Sequence, residues 1–356
     1  MIIHLPVTLS EQRARELANS IEALYLRRPD AHVLLTNCAM QTLPPALEGI
    51  ATAWWAMPTD MQLSSRTYHP DTYRIGIGDT YIGGDQRNQL MIAGPCAVES
   101  REQIEQSCQM LVSLGIRVLR AGCYKPRTSP YTFRGLGEDG LKLLAEMRDK
   151  YGLLIATEMR DASHADKVIQ YADIVQIGAK SMYDHALLTA AGECGKPVIL
   201  KRGFGTTLQE FMDGADFIMS CGNNQVILCE RGIRTFETKT RFTLDLCGVA
   251  WIKQHANLPI ILDPSHAMGY NYGVSDLARA CTAMGIDGLL IETHPNPSLA
   301  KSDAPLPRPV PHPLRLPPAP RRRHRQNPRL ISFKDFPALD MRLPNKPRQP
   351  LYSCHF

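Results

Sequence analysis

The chain has 356 residues, 44% hydrophobic and 21% charged, with a formal net charge of +5. That is the composition of an ordinary soluble globular protein, long enough for one large domain and a small one. No apolar run approaches the roughly 20 residues that a spanning helix needs, and Met1 to Val7 is too short and lacks the basic start and cleavage site of a secretory signal, so neither a membrane span nor export is expected.

The charge is unevenly placed. From Ala304 to the C-terminus, eleven Lys or Arg stand against two Asp, which leaves the preceding residues mildly acidic. Ten cysteines are scattered without a CxxC pair, a pattern that fits a reducing cytoplasm in which most of them are small core residues.

In chain order, Ile2 to Leu5 is a short strand candidate, and Thr8 to Glu11 reads as a T-x-x-E capping box. Leu17, Ile21 and Leu24 then predict a helix from Leu9 to Leu26. Val33 to Thr36 is a second strand candidate, and Pro44, Pro45 and Pro58 interrupt the segment that holds Trp54 and Trp55. Residues 1–65 are expected to form a small α+β, regulatory domain, and residues 66–89 a linker with a hairpin turning at Gly78-Asp79.

From Leu90 the pattern becomes regular. Apolar runs recur, each followed by a loop and a helical segment: Leu90 to Pro95, Ile116 to Arg120, Leu153 to Glu158, Ile174 to Ala179, Val198 to Arg202, Val226 to Glu230, Ile260 to Asp263 and Leu289 to Glu292. Eight continuous apolar strands alternating with helices predict parallel strands buried on both faces, hence a TIM (β/α)8 barrel over residues 90–303, with a doubly wound open sheet as the alternative.

Nearly every run ends in charge or metal-binding chemistry, and a barrel gathers these ends at one mouth. Arg120, Lys125, Arg127, Lys180, Lys201, Arg202, Arg231 and Arg234 give more positive charge than structure needs, which predicts anionic ligands. Within RAGCYKPRTSPYTF, Pro126 breaks any helix, and Arg127 with Thr128 and Ser129 offers a guanidinium fork and two hydroxyls to a phosphate ester. Opposed to the cations are Cys96, His266, Glu292 and Asp303. A thiolate, an imidazole and two carboxylates suit one divalent transition metal such as Mn, Fe, Co or Zn better than Ca or Mg.

Several stretches carry a resemblance: AGPCAVES at Ala93 to Ser100, LRAGCYKPRTSPY at Leu119 to Tyr131, QIGAK at Gln176 to Lys180, LKRGF at Leu200 to Phe204, ILCERGIRTF at Ile227 to Phe236, DPSHAMG at Asp263 to Gly269 and IETHPNP at Ile291 to Pro297. Together they resemble the type I 3-deoxy-D-arabino-heptulosonate 7-phosphate (DAHP) synthases of the Iβ branch. The sister 3-deoxy-manno-octulosonate 8-phosphate synthases carry an Asn-containing K-A-N-R-[ST] where this chain has KPRTS, which favours erythrose 4-phosphate as the aldehyde.

The resemblance implies condensation of phosphoenolpyruvate with erythrose 4-phosphate and water to give DAHP and phosphate, the first step of the shikimate pathway to aromatic amino acids. It implies Cys96, His266, Glu292 and Asp303 as metal ligands, Arg120, Lys125, Lys180, Lys201 and Arg231 on phosphoenolpyruvate, and Arg127, Thr128 and Ser129 on the erythrose 4-phosphate phosphate. Lys125 is the expected proton donor to the nascent alkoxide, with His266 as the other catalytic candidate. A homo-oligomer, tetramer or dimer, is also implied.

The chain departs from the family after Asp303. Thirteen of the 53 residues from Ala304 onward are Pro, which forbids the final barrel helix and predicts a disordered Pro/Arg-rich tail over 304–356 in its place. An alternative reading is therefore a catalytically impaired or repurposed barrel whose basic Arg321 to Arg325 run binds a polyanion, although such a run is more often solvated and nucleic acid is not expected. Residues 1–65 resemble the first βαβ of a ferredoxin-like module.

Overall fold

The computed structural model describes residues 1–87, 90–125 and 131–302. β1 (Ile2–Leu5) leads to α1 (Glu11–Ser20), capped by Ser10, whose hydroxyl accepts from the Arg13 amide. This corrects two expectations: Thr8 is not the cap, and the helix stops at Ser20. The chain turns at Glu22 (φ 55), and Leu24–Arg27 forms β2. Leu24 fits the helical spacing from Leu17, but pairing with β3 (His32–Leu35) satisfies a ladder of backbone hydrogen bonds and buries Leu26. With β4 (Ala53–Trp55), the order is β2-β3-β1-β4, antiparallel throughout. Ile3, Leu5 and Leu34 share a core with Ala14 and Leu17 of α1, whereas Ile2, Val33 and Leu35 belong to the large core that also contains Met57 and Leu63.

The hairpin forms as expected: β5 (Arg74–Ile77) and β6 (Thr80–Gly83) pair across Gly78, whose φ of 59 suits the turn. Ile75, Ile77 and Ile82 are buried in one cluster with Leu90, Ile92, Ile174 and Ile261, inward-facing barrel residues, so the hairpin closes the amino-terminal end of the barrel.

The eight barrel strands lie within one or two residues of their expected positions. In order, β7 (Leu90–Gly94) is followed by α2 (Arg101–Ser113), β8 (Val118–Arg120) by α3 (Gly137–Tyr151), β9 (Leu154–Met159) by α4 (Ala165–Tyr171) and β10 (Ile174–Ile177) by α5 (His185–Glu193). Then β11 (Val198–Lys201) precedes α6 (Leu208–Ser220), β12 (Val226–Glu230) precedes α7 (Leu246–His255), and β13 (Ile260–Leu262) precedes α8 (Pro264–Met268) and α9 (Val274–Ala283), before β14 (Gly288–Glu292). All neighbours pair in parallel, and β14 closes on β7 in the register Gly288↔Leu90 to Glu292↔Gly94. The open-sheet alternative is thereby excluded. Covering helices bury one stripe each; α6 turns Phe211, Ala215 and Ile218 inward and starts in a capping box between Thr207 and Glu210.

Gly94 shows why a residue without Cβ ends β7. Its φ is 149, and a Cβ there would stand 2.2 Å from the Arg120 carbonyl oxygen of β8. The expected disorder of the tail, Asp303 as a ligand, and Arg127, Thr128 and Ser129 as a phosphate site all lie outside the described residues.

Candidate active site

The strand ends deliver the expected side chains to one place. Cys96, Arg120, Lys125, Lys180, Lys201, Arg231 and His266 line a cavity of about 450 Å³ at the carboxyl-terminal mouth, together with Glu158, Arg234 and Ser302. A neighbouring cavity of about 570 Å³ shares Tyr124, Lys125, Arg160 and Lys180 with it and adds Arg134 and Ser181. Both hollows are rich in cations, and the shared residues make them neighbours at the mouth.

Three of the cations already have acidic partners. Arg120, 4% exposed, holds Glu292 Oε1 at 3.1 Å and donates to the Pro95 carbonyl at 3.1 Å. Lys125 Nζ lies 3.3 Å from Cys96 Sγ. Burial alone would lower the Lys125 pKa, but Cys96 and Glu158 outweigh it and raise the value, so the ammonium keeps its proton. Gly122 makes room for this reach, since a Cβ there would meet Lys125 Nζ at 2.7 Å.

Lys201 Nζ binds Asp263 Oδ2 at 2.7 Å, and the other Asp263 oxygen accepts from the His266 amide at 3.0 Å as the N-cap of α8. Although burial opposes ionisation of Asp263, His266 and Lys201 hold its carboxyl well below the usual range. His266 Nδ1 stands 2.7 Å from Asp263 Oδ2, close but without the directionality of a full hydrogen bond. Burial pushes the His266 pKa down to about 4, so near neutral pH the ring is uncharged. With its Nδ1 edge toward Asp263, the ring presents Nε2 to Glu292 Oε2, 3.6 Å away.

Arg231 differs from these. It is 5% exposed, its guanidinium stacks 4.5 Å over the Phe242 ring, and its Nη1 has no hydrogen-bond partner among the described residues. Burial lowers its pKa, against the pull of Asp263. A buried, incompletely paired guanidinium facing a cavity is a standing demand for an anion.

One cation expected at the mouth is elsewhere. Arg202 is buried against Glu230 (3.3 Å), Asp245 (2.8 Å) and the Thr206 carbonyl (3.0 Å), and does not line the cavity. Successive strand residues face opposite sides, so Lys201 and Arg202 diverge: the first points into the barrel, the second outward toward α7. The sequence reading also passed over Glu99, Arg160, Arg241 and the stacked pair Tyr124 and His164 (ring centroids 3.8 Å apart). Alternation could have flagged Arg202, whereas the loop residues carry no periodic signal.

The donors proposed for a metal meet around one carboxylate. Glu292 lies beside His266 Nε2 and also takes a hydrogen bond from the Cys96 thiol. Burial opposes its ionisation, but His266, Arg120 and Cys96 pull its pKa down to about 2, so it is an anion at working pH. A carboxylate oxygen with a sulfur and an imidazole nitrogen beside it brings together the donor types of a transition-metal site. Even so, among the described residues no three such donors are gathered closely enough to enclose an ion, and Asp303 is outside them.

A family model described as the DAHP synthetase I family matches residues 61–309. A phospho-2-dehydro-3-deoxyheptonate aldolase of Thermotoga maritima is 49% identical over 242 residues, covering 68% of this chain and 71% of that protein. A 2-dehydro-3-deoxyphosphooctonate aldolase of Fusobacterium nucleatum is 32% identical over 66% of this chain and 90% of that protein. Among solved structures, the Thermotoga maritima DAHP synthase superposes with a TM-score of 0.70 at 37% identity, covering 94% of this chain and 93% of that one. A truncated form of the Thermotoga enzyme gives 0.64 at 46% identity, over 68% and 89% of the two chains.

Proposed function

Because this chain belongs to the DAHP synthetase I family, we propose that its barrel mouth condenses phosphoenolpyruvate with erythrose 4-phosphate and water, giving DAHP and phosphate. This is the first step toward the aromatic amino acids. The heptonate relative is the nearer in sequence, at 49% against 32% for the octonate relative, in keeping with a four-carbon aldehyde. The observation that carries the reading in the structure is the incompletely paired Arg231, set beside Lys180 and Lys201 in the mouth cavity.

Two polyanions must approach one another here. Arg120, Lys125, Lys180, Lys201 and Arg231 offer charge to the phosphate and carboxylate of phosphoenolpyruvate, which lowers the electrostatic cost of bringing the second phosphate near. That second phosphate goes to Arg127, Thr128 and Ser129. Cys96, His266, Glu292 and Asp303 would hold a divalent ion, Mn, Fe, Co or Zn, and when bound it supplies Lewis acidity toward the aldehyde oxygen. Between the two proton-donor candidates, the side-chain environments favour Lys125. Its proton is held by Cys96 and Glu158, whereas His266 with a pKa near 4 has none to spare on Nε2.

Residues 1–65 are read as a regulatory module, 66–89 as a linker with its hairpin, and 90–303 as the catalytic barrel. A cytoplasmic setting is in keeping with the nine described cysteines, all free, and no helix among the described residues is long and apolar enough to cross a membrane. A dimer or tetramer is in keeping with exposed Val112 and Leu114 at the end of α2.

The test is turnover with both substrates, followed as phosphate release. Metal-free protein prepared with EDTA is expected to be silent and to recover with Mn. Full turnover in EDTA would refute the metal, and no turnover with any of the four metals would refute the reaction.

A further inference from the structure

A lysine carries its ammonium on a flexible four-carbon stem, so its place at a reacting atom depends on how firmly its backbone is held. The Lys125 side chain folds back across Gly122 to bring Nζ within 3.3 Å of Cys96 Sγ. Two sets of backbone bonds fix the base of that reach. The Gly122 amide donates to the Cys96 carbonyl at 3.1 Å, and the Val98 amide to the Gly122 carbonyl at 3.0 Å. From the far end of the same loop, the Arg134 carbonyl accepts from the Lys125 amide at 2.8 Å, and the Gly137 amide donates to the Cys123 carbonyl at 2.9 Å.

A third anchor is a ring. Tyr124, next to the lysine in sequence, stacks on His164 with ring centroids 3.8 Å apart and planes 9° from parallel. His164 belongs to a different connection, between β9 and α4, and is tied down there. Its Nε2 accepts from the Arg160 amide at 3.3 Å and the Asp161 amide at 3.2 Å, and its own amide donates to the Asp161 carbonyl at 3.3 Å. An imidazole that accepts at Nε2 is neutral and carries its proton on Nδ1. Burial lowers its pKa, against the pull of Asp161, which keeps the ring in that form near neutral pH. A stack inside a core would serve stability alone. This one is half-buried, and Tyr124 lines both cavities at the mouth, one residue from the ammonium.

We propose that His164 is a positioning residue for the condensation: by stacking on Tyr124 it fixes the base of Lys125 and so holds the ammonium in the mouth cavity. The inference rests on the reading of Lys125 as the proton donor. His164 acts through Tyr124 and not on the substrates.

The experiment follows turnover of the full chain with Mn and both substrates, beside backbone hydrogen exchange at Lys125. Lys125→Ala should lower kcat about 10²- to 10⁴-fold, the scale of a lost general acid. His164→Ala should lower kcat about 10- to 100-fold, the scale of a misplacement of about 1 Å. Its KM for phosphoenolpyruvate should move far less, because Arg120, Lys180, Lys201 and Arg231 are untouched. In the Lys125→Ala background the same change should cost nothing more, since both act on one proton transfer. His164→Phe keeps a stacking ring and should recover most of kcat. His164→Leu fills the space without one, so it should repeat the loss, and it carries the test if the alanine variant does not fold. Exchange at the Lys125 amide should quicken in the alanine and leucine variants and not in the phenylalanine one. Wild-type kcat in His164→Ala and His164→Leu, losses that multiply in the double variant, or a phenylalanine variant as slow as the leucine one would overturn the positioning role. Unchanged kcat in Lys125→Ala, or no turnover by the wild-type chain, would instead overturn the reading beneath it. Faster exchange in His164→Leu would then still uphold the stack as the anchor of the lysine, and unchanged exchange would overturn that as well.

Discussion

The two ends of the barrel are built on opposite principles. At the amino-terminal end, Ile75, Ile77 and Ile82 of the hairpin seal the interior with apolar contact. At the mouth, Arg120, Lys201, Arg231, Asp263 and Glu292 are all buried within some 5% exposure, in a region that a core would fill with leucine. Buried charge is costly and even well-paired ions are often no better than hydrophobic replacements, so the mouth is kept at the expense of stability. The closed end contributes stability and the open end chemistry.

The sharpest way to break this contrast is at Arg231. Arg231→Met should lower kcat/KM by about 10²- to 10³-fold, the scale of one lost charge-stabilising donor. Its thermal midpoint should hold or rise, because an incompletely paired buried cation leaves the core. A midpoint several degrees lower would show that Arg231 is structural. Ile82→Ala is the mirror experiment. It should cost about 2–4 kcal/mol in denaturant unfolding, the range for a large-to-small core change, with kcat and KM of the folded fraction unchanged. Loss of activity without loss of stability there would dissolve the distinction between the ends.

The smallest expected effect concerns pH. Asp216 of α6 is half-buried toward the closed end, where it accepts from the Gln62 and Ser64 amides and ties the segment after the small sheet to the barrel. Burial pushes its pKa up to about 6, against those hydrogen bonds. The folded chain thus holds this proton more tightly than the unfolded chain does. Its contribution is greatest below about pH 4 and is lost as pH rises through 6, by at most about 3 kcal/mol. Asp216→Asn should flatten that slope in unfolding measured between pH 4 and 7. An unchanged slope would mean that the amides, not burial, govern the carboxyl.

Much of this was legible from residue order. The eight apolar runs placed the barrel strands closely, since a strand buried on both faces must be apolar along its length and must stop where polarity resumes. Arg120, Lys201, Arg231, His266 and Glu292 were recognisable because they stand at those stops. Less legible was the small sheet, where Leu24 satisfied a helical spacing yet joined a strand, the choice depending on its pairing with Leu35 of the next strand.

By itself, then, the sequence determined the local elements, their order, and the chemical types at the strand ends, because hydrophobic period, capping and turn residues act over a few positions. Closure of the barrel decided the rest. It set Lys201 inward and Arg202 outward, brought Cys96 and His266 to the same carboxylate, placed the hairpin as a seal, and joined Glu99 to amides 202 and 203 residues away. Contacts over such separations carry no local signature, since they exist only once the first strand has met the last.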